Sequence, residues 1–172
     1  MQKEYNLNKL FDTMADDIFS LMSKKGIKNP YMIGIHTAGV WVAQALHQRL
    51  STRLNLETLG TLNSNYYRDD FEQRGLNKQT EASELLISLE GRHIILVDDI
   101  LFTGRTTRAA INELFDYGRL ASLTLAVLID RGGRELPIEA QVVGLTKELT
   151  DNQSIKLRNP DDLTLEIRHN NE

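Results

Sequence analysis

Two adjacent aspartates, a Thr-Gly pair and a second threonine follow one another in the segment Val97-Asp98-Asp99-Ile100-Leu101-Phe102-Thr103-Gly104-Arg105-Thr106. Neighbouring carboxylates can accept hydrogen bonds from vicinal hydroxyls, threonine hydroxyls can donate to phosphate oxygens, and glycine lets the backbone approach a ligand closely. If Thr106 opens a helix, the free amides and the dipole of its first turn favour an anion. Together these groups describe a sugar phosphate site. Each hydrogen bond to a charged oxygen is worth roughly 1.5–3 kcal/mol, so about four or five of them support micromolar binding after the association cost. The plainer reading is an acid pair after a strand with a threonine capping the next helix. The order of strand, acid pair, Thr-Gly loop and helix favours the site.

The elements that must position these residues can be read from hydropathy. His93-Ile94-Ile95-Leu96-Val97 is a continuous apolar run of the kind that fills the middle of a parallel sheet covered on both faces. In such a sheet ligands lie outside the carboxyl ends of the strands, which predicts Asp98 and Asp99 just past the end of this one. Apolar positions Ala109, Ala110, Ile111, Leu114 and Phe115 predict a helix from Thr106 to Tyr117, with Gly118 as a left-handed stop, and Ser122 to Ile129 predicts another buried strand. Upstream, Leu7, Leu10, Phe11, Met14, Ile18, Leu21 and Met22 mark one face of a helix. Tyr31 to Ile35 then reads as a strand, His36-Thr37-Ala38-Gly39 as a small-residue turn, and Val40 to about Leu50 as a helix with Trp41 on its core face. Leu56 to Leu62 reads as a strand, the polar stretch from Asn63 to Ser83 as a loop or hairpin, and Gln141 to Gly144 and Leu163 to Arg168 as short strands. Strands alternating with helices imply an α/β fold with a mostly parallel central sheet flanked by helices, in a single domain over residues 1–172.

Bulk properties narrow the class. The chain has 172 residues, 41% of them hydrophobic and 26% charged, enough for a sizeable core. It contains no cysteine, which removes disulfides and thiolate metal sites, and His47, His93 and His169 show no metal-ligand grouping. No apolar run is long enough to cross a bilayer, and the expectation is a soluble cytoplasmic protein. A formal charge of −4 argues against a globally basic nucleic-acid binder.

The segment around Asp98 and Asp99 resembles the signature of the type I phosphoribosyltransferases. Ile94 to Arg108, taken with Ala126-Val127-Leu128-Ile129-Asp130-Arg131-Gly132-Gly133-Arg134-Glu135-Leu136-Pro137, is similar to the PyrR family of uracil phosphoribosyltransferases, some of which also regulate pyrimidine-operon transcription by binding messenger RNA. The resemblance runs from about residue 10 to about residue 168. It implies the type I phosphoribosyltransferase fold, with a flexible flap over about residues 63–84 and a small hood. It also implies a substrate, 5-phosphoribosyl-1-diphosphate (PRPP), that donates its ribose phosphate to uracil and gives UMP. Asp98 and Asp99 would be the catalytic carboxylates holding the ribose hydroxyls, Asp99 also being a candidate general base. The Thr103 to Thr106 loop would take the 5-phosphate, and His36, Thr37, Ala38 and Gly39 the diphosphate. Tyr67, Arg68 and Asp69 would belong to the flap, Ile129, Asp130 and Arg131 would lie near the base, and Arg134 would contact the nucleotide or its phosphates. Mg²⁺ would be held mainly by substrate and water, with no direct protein ligand. Partners implied are PRPP, uracil, UMP and UTP, a second copy of the chain in a homodimer or higher oligomer, and RNA.

The chain departs from the family in two places. Members with Lys-Thr-Arg-Gly in the diphosphate loop carry a cation where this sequence has Ala38. RNA-binding members offer a threonine and, four residues on, a histidine in the first helix, whereas here Thr13 is followed by Asp17, and no arginine occurs between Gln141 and Arg158. The alternatives to a uracil enzyme are a protein acting mainly as an RNA-binding attenuator that senses uridine nucleotides, and a purine phosphoribosyltransferase. The purine enzyme would share the signature but not the Arg131 to Pro137 string.

Overall fold

Ile94, Ile95, Leu96 and Val97 are all buried and alternate between two cores. Ile95 and Val97 pack with Phe11, Met14 and Ile18 and with Val42, Leu46 and Leu50, while Ile94 and Leu96 pack with Ala110 and Leu114. A strand with period-2 side chains can be apolar throughout only when both faces are covered. The arrangement is therefore three layers, helix on sheet on helix.

This computed structural model describes residues 5–63, 83–150 and 152–169. Its elements are α1 (Leu7–Lys24), β1 (Tyr31–Ile35), α2 (Ala38–Leu54), β2 (Gly60–Leu62), β3 (His93–Leu101), α3 (Arg105–Asp116), β4 (Ser122–Asp130), β5 (Val142–Thr146), β6 (Gln153–Arg158) and β7 (Thr164–His169). The main sheet has the order β2-β1-β3-β4-β5, every neighbouring pair parallel. β6 and β7 form a separate antiparallel hairpin, which inserts Ile155 and Leu157 into the core shared by α1 and α2.

The 3.6-residue spacing of α1 buries Leu7, Phe11, Met14, Ala15, Ile18 and Met22, and the Oδ1 of Asn6 caps the helix by accepting from the Lys9 amide at 3.0 Å. α2 lies directly on β1 because Gly34 has no side chain. A Cβ there would stand 2.8 Å from the Val40 Cα and 2.9 Å from the Ala43 Cβ.

Several boundaries differ from the sequence reading. The strand predicted over Leu56 to Leu62 is confined to Gly60–Leu62, because α2 runs on to Leu54 and ends in left-handed Asn55, leaving 56–59 as a connector whose Leu56 and Leu59 still pack on the core. β3 does not stop at Val97: Asp98 pairs with Val127, Ile100 with Ile129 and Leu101 with Asp130, so the two acids lie within the strand rather than beyond it. α3 starts at Arg105, one residue early, and β5 is shifted to Val142–Thr146. β6 was not anticipated. Trp41 is only partly buried, at the margin of the α1–α2 core. The flap residues Tyr67, Arg68 and Asp69 lie outside the described residues; the chain leaves and re-enters where Thr61 and Glu84 exchange two backbone hydrogen bonds of 2.9 Å and the Asn63 amide donates to Ser83 Oγ at 2.8 Å. No helix among the described residues is long and apolar enough to cross a membrane.

Candidate active site

β1 is flanked by β2 on one side and β3 on the other, so the chain winds outward in both directions from the β1/β3 pair. In an open α/β sheet the crevice forms at the carboxyl ends of such a pair. Three loops meet there: 36–39 after β1, 102–104 after β3, and 131–134 after β4.

Asp98 is 5% exposed, and its Oδ1 accepts from the Asp99 amide at 2.9 Å; Asp99 is half-buried. The first turn of α2 reaches this pair through Gly39. A Cβ at Gly39 would lie 3.0 Å from the Cα and Oδ1 of Asp98 and from the Val97 carbonyl oxygen. The diphosphate-loop candidates and the acid pair, far apart in sequence, are thus in contact. His36 donates its amide to the Leu62 carbonyl at 2.9 Å, the peptide bond between His36 and Thr37 is cis, and Ala38 is half-buried.

The helices that start at this edge differ from α1. Neither α2 nor α3 has a side-chain cap or an acidic residue in its first turn. With no carboxylate in the first turn, the positive end of each dipole favours an anion there. At α3 the turn is made by Gly104 with φ +91, a conformation that disfavours any side chain, and the Arg105 amide donates to Thr103 Oγ1 at 3.2 Å.

The third loop backs onto the second. The Arg131 amide donates to the Leu101 carbonyl, and the amides of Glu135 and Leu136 both donate to the Thr103 carbonyl, each at 3.0 Å. Arg105 Nε donates to Glu135 Oε2 at 2.7 Å, and the Arg131 guanidinium lies over the Phe102 ring, 3.9 Å from its centroid. Gly133, with φ +71, adopts a conformation that disfavours a side chain, and a Cβ there would fall 2.5 Å from Phe102 Cε2.

Arg134, expected to contact the nucleotide or its phosphates, is bonded to the protein's own chain. Nε donates to the Ile138 carbonyl at 2.8 Å, Nη1 to the Phe102 carbonyl at 2.9 Å, and Nη2 to Asp130 Oδ2. Its donors are directed to the protein's own loops. Burial works to raise the Asp130 carboxyl, but hydrogen bonds from Arg134 and the Gly132 amide, together with the Arg134 charge, outweigh it and hold the group below its ordinary value of 3.8. Ile129 is fully buried, so its side chain belongs to the core and only its main chain could meet a ligand.

The structure thus brings 36–39, 98–106 and 130–134 to one edge. Sequence reasoning missed the contact between Gly39 and Asp98 and the bonds of Arg134. The first is announced only by a small residue beside the turn; of the second, Asp130 and Ile138 stand four residues to either side of Arg134, but the bond to Phe102 has no local sign. It also missed Glu113, buried on α3, whose Oε1 accepts from Ser83 Oγ at 2.7 Å.

Comparison with known proteins agrees with this geometry. The family described as phosphoribosyl transferase domain matches residues 2–159. The chain is 52% identical to the bifunctional protein PyrR of Pseudomonas syringae pv. tomato, over 95% of this chain and 94% of that protein. It is 50% identical to the bifunctional protein PyrR of Nitrosococcus oceani, over 95% and 92% respectively. Among solved structures, the hypoxanthine phosphoribosyl transferase of Trypanosoma cruzi superposes with a TM-score of 0.66 at 23% identity, covering 86% of this chain and 79% of that one, a likeness of fold. With the family match spanning nearly the whole chain and relatives at half identity over nearly all of it, the protein belongs to the phosphoribosyl transferase domain family and, within it, to the PyrR proteins.

Proposed function

We propose that the protein is a uracil phosphoribosyltransferase, forming UMP and diphosphate from uracil and PRPP. The observation that carries this reading is the junction of the Asp98-Asp99 pair with the uncapped start of α3 on one side and of α2 on the other. A ribose with an anion at each end fits that spacing of charges: hydroxyls on the carboxylates, 5-phosphate at Thr103 to Thr106, diphosphate at His36 to Gly39.

In the reaction, N1 of uracil bonds to C1 of the ribose as the C1–O bond to diphosphate breaks and the N1 proton is lost. Positive charge develops on the ring and negative charge on the departing oxygens. No protein nucleophile is needed. Asp98 and Asp99 orient the sugar and favour the cationic ring, the α3 turn fixes the 5-phosphate, and the amides of the α2 turn stabilise the leaving group. Asp99, the more accessible acid, would take the proton. The main chain of Ile129, Asp130 and Arg131 reads the edge of the base.

Mg²⁺ would enter with the substrate: the two adjacent carboxylates Asp98 and Asp99 suit an ion that brings its own water and phosphate oxygens. When bound it would neutralise charge on the diphosphate, with Asp98 and Asp99 as the nearest protein anions. The protein is further proposed to act in the cytoplasm as a homodimer or higher homo-oligomer.

A steady-state assay for UMP from uracil, PRPP and Mg²⁺, run beside hypoxanthine, guanine, adenine and orotate, tests the reading. Turnover with uracil alone supports it. Turnover with a purine and not uracil, or donor binding with no turnover of any base, refutes it.

The relatives are named bifunctional, which keeps RNA-dependent regulation as a second reading. The exposed face of α1 and α2 disfavours RNA there: Arg49 is bound to Asp12 at 2.7 Å and Arg53 to Asp16 at 2.8 Å. Such surface pairs add little stability, but they neutralise the cations a phosphate backbone would need. Strong, salt-dependent binding to a pyrimidine-operon leader RNA would favour regulation.

A further inference from the structure

We infer that Arg134 is a positioning residue: it aims the Thr103 amide, at the entry to the 5-phosphate loop, through the Phe102 carbonyl and without touching the ligand. The inference rests on the assignment of Thr103 to Thr106 as the phosphate loop.

The geometry is that of a brace. β3 and β4 end side by side at Leu101 and Asp130, and the Arg131 amide continues the ladder by donating to the Leu101 carbonyl. Gly132 and Gly133, with φ +70 and +71, then turn the chain back, so that Arg134 returns across the end of β3. Its planar fork joins three separate stretches of chain: Phe102 after β3, Asp130 at the end of β4, and Ile138 beyond the loop. Asp130 is locked in turn by the Gly132 amide on its Oδ1 at 2.9 Å. The Arg134 and Asp130 side chains are only 23% and 20% exposed, so the pair is shielded more than a surface bridge is.

The consequence follows from the peptide bond. In a trans peptide the C=O of one residue and the N–H of the next lie in one plane and point in opposite directions. The peptides of this loop are trans. Arg134 holds the Phe102 carbonyl, and the amides of Glu135 and Leu136 hold the Thr103 carbonyl. The amides of Thr103 and Gly104 are thereby directed away from the brace. These two donors precede the first turn of α3 and complete the set offered to an anion there. Gly104 is backed by Ile138 and Leu136 at 3.3 and 3.4 Å from where a Cβ would be, so the loop cannot retreat toward the brace.

Two variants separate this role from a direct contact between the arginine and a phosphate. Arg134→Lys keeps the charge but cannot satisfy three acceptors in a plane; Arg134→Gln removes the charge as well. Binding of ribose 5-phosphate is measured by calorimetry, with circular dichroism confirming that each variant is folded at the temperature used. The KM values for PRPP and uracil and the kcat are measured alongside. The expected result is a loss of ribose 5-phosphate affinity of about tenfold or more in both variants, the scale of losing well-aimed donors to a charged oxygen. The KM for PRPP should rise with it, and guanidinium ion should partly restore the affinity of Arg134→Gln. Retention of wild-type affinity in Arg134→Lys, with loss only in Arg134→Gln, would show that charge at the ligand is what matters and overturn the positioning role. Wild-type affinity in both variants would overturn it as well. Failure of the unmutated protein to bind ribose 5-phosphate would instead refute the phosphate-loop assignment, and the brace with it.

Discussion

The loops after β3 and after β1 begin alike: a buried parallel strand, a turn of small and hydroxyl-bearing residues, and a helix that starts without a side-chain cap. They differ in what stands behind them. The turn at Thr103 and Gly104 is held by two backbone amides on the Thr103 carbonyl, the Arg134 fork and the Arg105–Glu135 pair. The turn at His36 to Gly39 shows a bond from His36 to Leu62, a 3.3 Å bond from the Val40 amide to Thr37, and the close seat of Gly39 on Asp98, with an uncharged Ala38. In the proposed reaction the 5-phosphate stays attached throughout and the diphosphate departs. A fixed grip suits the first. For the second, tight binding of the ground state would lower KM without raising kcat, so a loop whose Ala38 brings no cation, and in that sense holds the diphosphate more lightly, is consistent with turnover.

The largest expected effect lies where the two loops meet. Asp98→Asn and Asp99→Asn should each lower kcat by about 100- to 1000-fold with the far-ultraviolet circular dichroism unchanged, since each removes a charge aimed at the developing cation. Near-normal steady-state turnover in both would dissolve the distinction between the loops, because neither would then adjoin the reacting centre.

Gly39→Ala should come next. The added Cβ meets Asp98 and the Val97 carbonyl at 3.0 Å, which is backbone that cannot swing aside. Thermal or denaturant unfolding should show a loss of about 1–3 kcal/mol, with a raised KM for PRPP from the displaced α2 turn. Unchanged stability would mean that the lighter loop is freer to move than its contact with β3 implies.

Ala38→Arg sharpens the comparison in the other direction. A cation at the first position of α2 should tighten inhibition by diphosphate by about three- to tenfold, as expected for one added charge-assisted hydrogen bond at a half-exposed site. If inhibition does not change, the diphosphate is held elsewhere.

The smallest effect concerns the far side of α3. Burial raises the Glu113 carboxyl above its ordinary value of 4.5, the Ser83 hydroxyl opposes this, and Asp116 adds to it. A raised acid favours the folded state only when protonated, so this contribution is present below 4.5 and is lost as pH rises through the elevated value. Asp130 works oppositely: its lowered value contributes stability above 3.8 that disappears as acid titrates the pair with Arg134. Stability measured from pH 7 downward should therefore show a Glu113 component that increases before the Asp130 component falls. Glu113→Gln should remove the first and leave the second, and an identical pH profile in that variant would contradict the assignment.

How much of this could be read from the chain depends on whether the signal was local. The run from His93 to Val97, the acid pair and the Thr-Gly turn are contiguous, and strand, acids and helix all appear in the expected order. The end of β3 was misplaced because Asp98 to Leu101 remain strand only through pairing with Val127 to Asp130, a partner supplied from another element. β6 was hidden because its alternation spans only two apolar positions, Ile155 and Leu157, and the strand is completed by pairing with β7 and by the core it meets on α1. The Arg134 side chain gives no local sign of its Phe102 acceptor, which lies far off in sequence and joins the nearby Asp130 and Ile138 only through the Gly132-Gly133 turn.

The most direct test of the central claim is a crystal structure with UMP bound. The account requires the nucleotide phosphate within hydrogen-bond distance of the Thr103 to Thr106 backbone, the ribose hydroxyls on Asp98 and Asp99, and the uracil edge against the main chain of Ile129 to Arg131. A nucleotide whose phosphate lies at the start of α2, or whose ribose stands clear of the acid pair, would contradict it.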